Sequence, residues 1–97
     1  MPEAFAPSWS FPLGTDVVQV RCSTIADGDF HIDSPRAALL HRRAAFDSGV
    51  WTQLDEVHGT TVHEVVSAGQ HDFEVGDALF TRRRGAVLST WVGDCAP

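Results

Sequence analysis

The residues best suited to chemistry are His58 and Cys95. Each follows an apolar run, Val50–Leu54 in one case and Ala86–Val92 in the other. An imidazole and a thiolate suit zinc, and an open zinc site takes three protein ligands and leaves one position for water. A nucleophilic alternative uses Cys95 with a histidine as base and Asp94 or Asp77 as its orienting acid. Asp94 beside the thiol works against an activated thiolate unless a metal or a histidine offsets its charge. The bland alternative makes His58 a turn residue before Gly59 and Cys95 a small buried hydrophobe. Asp77, just before a strand, is read first as a polar anchor.

The other polar residues carry less. Arg82-Arg83-Arg84 has the geometry to grip an oxyanion, but between two apolar strands it reads as a solvated hairpin tip. His31, His41, His63 and His71 show no ligand spacing among themselves, and His41 beside Arg42 and Arg43 reads as a solvated helix face. A Cys22–Cys95 disulfide is disfavoured in the reducing compartment assigned below.

These side chains need elements to hold them. Residues 1–16, with Pro2, Pro7 and Pro12 among Phe5, Trp9, Phe11 and Leu13, read as an extended arm that packs its aromatics on the body. Val17–Ser23 has β-branched enrichment and reads as a strand. Ala26-Asp27-Gly28-Asp29 is a turn, and Phe30-His31-Ile32 a short return strand. Ser34 as N-cap and Pro35 at the first helical position start a helix over residues 35–46, with Leu39 and Phe46 on one face. Gly49 is available to end it. Val50–Leu54 and Thr60–Val66 read as strands. The segments around Ala78–Thr81 and Ala86–Val92 form a final pair, the last apolar enough to be central. The fold class is α+β (α/β-type), with a mixed sheet and one main helix.

Ninety-seven residues make one small domain. The net charge of −6, with every one of the seven basic residues an arginine, argues against nucleic acid. Two cysteines are too few for a disulfide framework. No leader and no membrane-length apolar run is visible. The expected location is cytoplasmic.

Several segments together resemble a known family. Trp51-Thr52-Gln53-Leu54-Asp55-Glu56-Val57-His58-Gly59-Thr60-Thr61-Val62, then Gly76-Asp77-Ala78-Leu79-Phe80-Thr81, then Val92-Gly93-Asp94-Cys95-Ala96-Pro97, are similar to motifs of the laccase-domain family. That family is also called multicopper polyphenol oxidase or peptidoglycan editing factor. Its pattern is glutamine-valine-histidine-glycine, alanine-aspartate-alanine before a strand, and alanine-aspartate-cysteine-x-proline. The resemblance makes residues 17–97 the N-terminal portion of such a domain, an incomplete half of a larger fold.

The resemblance implies zinc held by His58 and Cys95, with Asp94 beside them as a site residue. It implies purine nucleoside phosphorolysis or adenosine deamination, hence purine nucleoside and phosphate as small-molecule partners. Amide cleavage in a peptidoglycan precursor is the enzymatic alternative. One His/Cys site is a poor match for multicopper chemistry. The family's remaining histidine lies in a histidine-alanine-glycine-tryptophan-arginine-glycine element that this sequence lacks. Glu56 stands for the family's glutamine, Gly93 for its alanine, Asp27-Gly28 for paired glycines, and Ile25 for an arginine. The expectation is therefore a truncated member that is inactive alone and takes a third ligand from a homodimer or a complementary chain. A non-catalytic remnant is the alternative outside enzymes.

Overall fold

The computed structural model describes residues 7–91; Asp94 and Cys95 lie outside the described residues. It is an α+β arrangement of six strands and one α-helix. The strands are β1 (Ser8–Leu13), β2 (Asp16–Arg21), β3 (Val50–Gln53), β4 (Val62–Val65), β5 (Ala78–Thr81) and β6 (Ala86–Ser89). The helix α1 spans Arg36–Phe46, and one turn of 3₁₀-helix spans Ile25–Asp27. The strands pair as β1–β2 antiparallel, β3–β6 parallel and β4–β5 parallel. Among the described residues, parallel and antiparallel pairings occur in separate two-stranded ladders.

β3 is the centre of the body. On one side it pairs with β6. On the other, the β4–β5 crossover runs alongside it: Phe73 N–H donates to Gln53 O at 2.8 Å, Asp55 N–H to Glu74 O at 2.8 Å and Gly76 N–H to Asp55 O at 3.1 Å. With both edges engaged, Trp51, Thr52, Gln53 and Leu54 are all buried. A strand covered on both faces needs no polar/apolar alternation, and the run has none. The central position expected for Ala86–Val92 therefore belongs to β3, while β6 is only half-buried.

The expected β5–β6 hairpin does not form, because β4 and β3 supply a parallel partner to each. Arg82-Arg83-Arg84 is an exposed link between ladders, with Arg84 paired to Asp16 at 2.8 Å. Phe5 lies outside the described residues; in the described part of the arm the expected packing on the body also fails. Residues 8–13 are a strand of the β1–β2 hairpin, and Trp9, Phe11 and Leu13 are each at least half exposed. The hairpin turns at Gly14, whose φ of 62° suits the first central position of a primed turn.

The helix has the expected range but a different start. Pro35 is the N-cap, with extended angles and its carbonyl accepting from Leu39 N–H at 3.0 Å, so Ser34 lies outside. Gly49 does not terminate the helix; the cap is Asp47. A Cβ on Gly49 would sit 2.6 Å from Val87 Cγ2, so glycine is needed there for close approach to β6. Residues 30–32 form no strand. The Asp29 carboxylate accepts from His31 N–H at 2.8 Å and Ser34 N–H donates to His31 O, which curls the segment into a turn.

Helix and body meet over an aromatic cluster. Phe30 stacks on Trp51 at 6.0 Å, and Phe46 meets both rings edge-on. Arg43 is a correction to the solvated-face reading of the helix: it is 5% exposed and paired with Asp72 at 2.8 Å. Asp72 also accepts from Gln53 N–H at 2.9 Å. The carboxylate thus joins helix, central strand and crossover in one buried polar contact.

Candidate functional site

The chain leaves β3 through Leu54, Asp55 and Glu56 and turns sharply at Val57–Thr61 before β4. His58 sits in this turn with φ 57°, a left-handed angle that costs a non-glycine residue about 1 kcal/mol or more. Asp77 holds the turn. Val57 N–H donates to its Oδ1 at 3.0 Å and Thr61 N–H to its Oδ2 at 3.3 Å. A Cβ on Gly59 would lie 3.0 Å from Asp77 Oδ2, so the glycine lets the carboxylate approach the backbone. Partial desolvation raises the Asp77 pKa, but the N–H groups of Gly59, Val57, Thr61 and His58 outweigh it. The net result lies below the ordinary 3.8. The anchor reading of Asp77 is what the geometry shows. Its client is the histidine turn as well as its own strand.

The same carboxylate lines a groove of about 450 Å³ with Leu54, Glu56, Leu79, Leu88, Ser89 and Thr90. The groove opens at the carboxyl ends of β3 and β6, where parallel sheets characteristically bind ligands. Glu56 spans it, accepting from Thr90 Oγ1 at 2.9 Å. The turn at residues 29–33 flanks this end of the sheet, with the His31 ring 4.2 Å from the Trp91 ring.

The His58 imidazole is exposed. Imidazole and thiolate form a donor pair that suits zinc, and the His58 ring is accessible to an ion. The meeting of His58 with Cys95 and Asp94 falls outside the described residues. Cys22 is an exposed free thiol. Ile25, where the resemblance led to an arginine being expected, is fully exposed and brings no positive charge.

The structure also assembles a group that sequence reasoning missed. The ligand atoms of His63, His71 and Glu74 all lie within 4.8 Å of one another. His63 comes from β4, and the other two come from the crossover. No linear spacing signals this, because His71 and Phe73 both adopt left-handed φ, 67° and 68°, to curl the crossover back.

Residues 22–97 match the family model described as multi-copper polyphenol oxidoreductase laccase. The match covers most of the sequence, including the His58 turn and the Asp77 anchor, and the chain belongs to this family. The description is that of a metal-dependent family, and it leaves open which metal this chain takes. No curated protein and no solved structure matches the chain. Among the described residues, no helix is long and apolar enough to cross a membrane.

Proposed function

We propose that this chain contributes the histidine–cysteine half of a zinc-dependent purine nucleoside site, for phosphorolysis or for adenosine deamination. The observation that carries the reading is Asp77, which pins the His58 turn and lines the groove beside it. His58 and Cys95 would hold the metal, with Asp94 adjacent. Bound zinc would supply an activated water or a polarised reacting group. The chain's own residues do the positioning. Asp77 fixes the backbone that presents His58, and Glu56 with Thr90 offers polar contacts at the groove wall. The apolar faces of Leu54, Leu79 and Leu88 suit a planar base.

The fully exposed Ile25 favours one choice within this reading. Without an arginine there, phosphate loses an oxyanion contact, and hydrolytic deamination becomes the simpler reaction for this chain. The third ligand would come from a homodimer partner or a complementary chain, in the cytoplasm. Peptidoglycan-precursor amide cleavage and a non-catalytic remnant remain as outcomes of the test.

That test is product formation from adenosine and inosine, with and without phosphate. It compares the chain with its His58→Ala and Cys95→Ala variants and monitors Glu56, Asp77 and Thr90 amide signals during nucleoside addition. Purine-dependent product lost in both variants supports the reading. No product, together with groove signals unmoved by either nucleoside, overturns it in favour of the remnant. Release of amine from a cell-wall precursor amide instead selects the amidase.

A further inference from the structure

The geometry points to a second metal site, in which His63, His71 and Glu74 bind one divalent transition-metal ion of the zinc class. Two imidazoles and a carboxylate make up the donor set of one recurring type of zinc site with an open position. This group shares no residue with His58 and Cys95 and does not depend on the reading given for them.

Three features distinguish it from a chance surface cluster. First, both rings already have polar partners. The His63 Nε2 lies 2.9 Å from Val75 O, which can only accept, so that nitrogen is the donor. The His71 Nδ1 lies 2.8 Å from Glu74 Oε2. The Val75 carbonyl on His63 Nε2 leaves that ring's Nδ1 free for an ion, and a carbonyl partner of this kind is what orients metal-binding histidines.

Second, the fold brings the two rings beside each other, 4.4 Å between centroids and 25° from parallel, and the more accessible His71 ring turns out of this stack to share an ion with His63. The His63 ring lies over Gly76, where a Cβ would come within 2.6 Å of its Cδ2. Third, the left-handed φ of 67° at His71 is held by the Asp72–Arg43 anchor immediately after it, so the local strain sits on a fixed backbone. Ligand atoms on one tetrahedral zinc sit about 3.4 Å apart. From within 4.8 Å, the exposed Glu74 and the partly exposed His71 close the set by reorienting, Glu74 exchanging its bond to His71 for the ion.

An ion held here would tie β4 to the crossover three residues before Asp77. It would therefore brace the backbone that anchors the His58 turn.

The test is a cobalt(II) titration of the full chain followed by absorption, with zinc as competitor. In the Cys95→Ala variant, which removes the thiolate of the first site, one cobalt per chain should still bind in a tetrahedral-type spectrum, and zinc should displace it. Adding His58→Ala should leave that spectrum in place. His71→Asn, whose asparagine tolerates the left-handed angle, should weaken binding at least about tenfold. Glu74→Gln, at an exposed position, gives a second reading that does not burden the fold. A cobalt spectrum carrying a thiolate band and abolished by Cys95→Ala, or a chain that retains no cobalt, would overturn the second site. Either result leaves the nucleoside measurements on the first site to stand or fall separately.

Discussion

The molecule holds histidines in two different ways. At His58 the backbone does the holding: one carboxylate, Asp77, gathers the N–H groups of a tight turn, and the imidazole points outward. At His63 and His71 the side chains are held, by stacking, by hydrogen bonds and by a crossover that winds back along β3. The first arrangement is written in two short segments, Glu56–Thr61 and Gly76–Ala78. The second depends on β3, α1 and the crossover all being in place. A site of the first kind should survive damage to the core that destroys the second.

The largest separation should come from Asp72→Ala. This change strands the buried Arg43 charge and removes the acceptor for Gln53 N–H. Breaking one partner of a buried pair costs about 3–5 kcal/mol, a large share of a small domain's stability. Denaturant unfolding should show that loss, and Asp72→Asn, which keeps an acceptor for Gln53, should recover part of it. In conditions where Asp72→Ala remains folded, the His63 and His71 ring signals should move far more than the amides of Val57–Thr61. Equal disturbance of both regions would mean that the turn at His58 is not locally held.

Gly76→Ala sharpens the same contrast at lower cost. The new methyl meets the His63 ring and Leu54 Cδ1 at 3.0 Å or closer, so the ring must leave its place against Val75 O. Overpacking of this kind costs about 1–3 kcal/mol. The His63–His71 stack should separate, measured by the loss of ring-current shifts, while Asp77 keeps its bonds to the turn. His58→Gly tests the other region. It relieves the left-handed strain but adds chain entropy to the unfolded state, leaving a gain below about 1 kcal/mol in thermal or denaturant unfolding.

Much of the fold was legible because it is locally encoded. The alanine- and leucine-rich run gave α1 its range, and β-branched runs gave β2 and β3 to within a residue or two. Pairing was not legible. Arg82–Gly85 has the composition of a hairpin loop, but β5 and β6 each find a parallel partner elsewhere. Local turn chemistry carries no information about such a partner. The burial of Arg43 was hidden for the same reason, since its acid lies 29 positions away on the crossover. The site divides along the same line. His58 and Asp77 stood out through motif order, whereas His63, His71 and Glu74 converge only after the crossover has folded against β3.

The smallest effect, and the most specific, is the acid titration of the His58 turn. Asp77 has a folded pKa below its ordinary 3.8, since the backbone N–H groups that favour its charged form outweigh partial desolvation. Its contribution to stability is therefore complete above about pH 4. As pH falls, the unfolded chain takes up the proton first, and the contribution is lost through the interval between 3.8 and the lower folded value. The amides of Val57, His58, Gly59 and Thr61 should respond to Asp77 only there, and Asp77→Asn should abolish that step. A protonated or amide side chain has fewer acceptor sites than a carboxylate and cannot satisfy the whole turn. The opposite outcome is equally informative. Were those amides to show no step in that interval and remain unchanged by Asp77→Asn, Asp77 would not be organising the turn, and the division between backbone-held and side-chain-held histidines would fail at its first member.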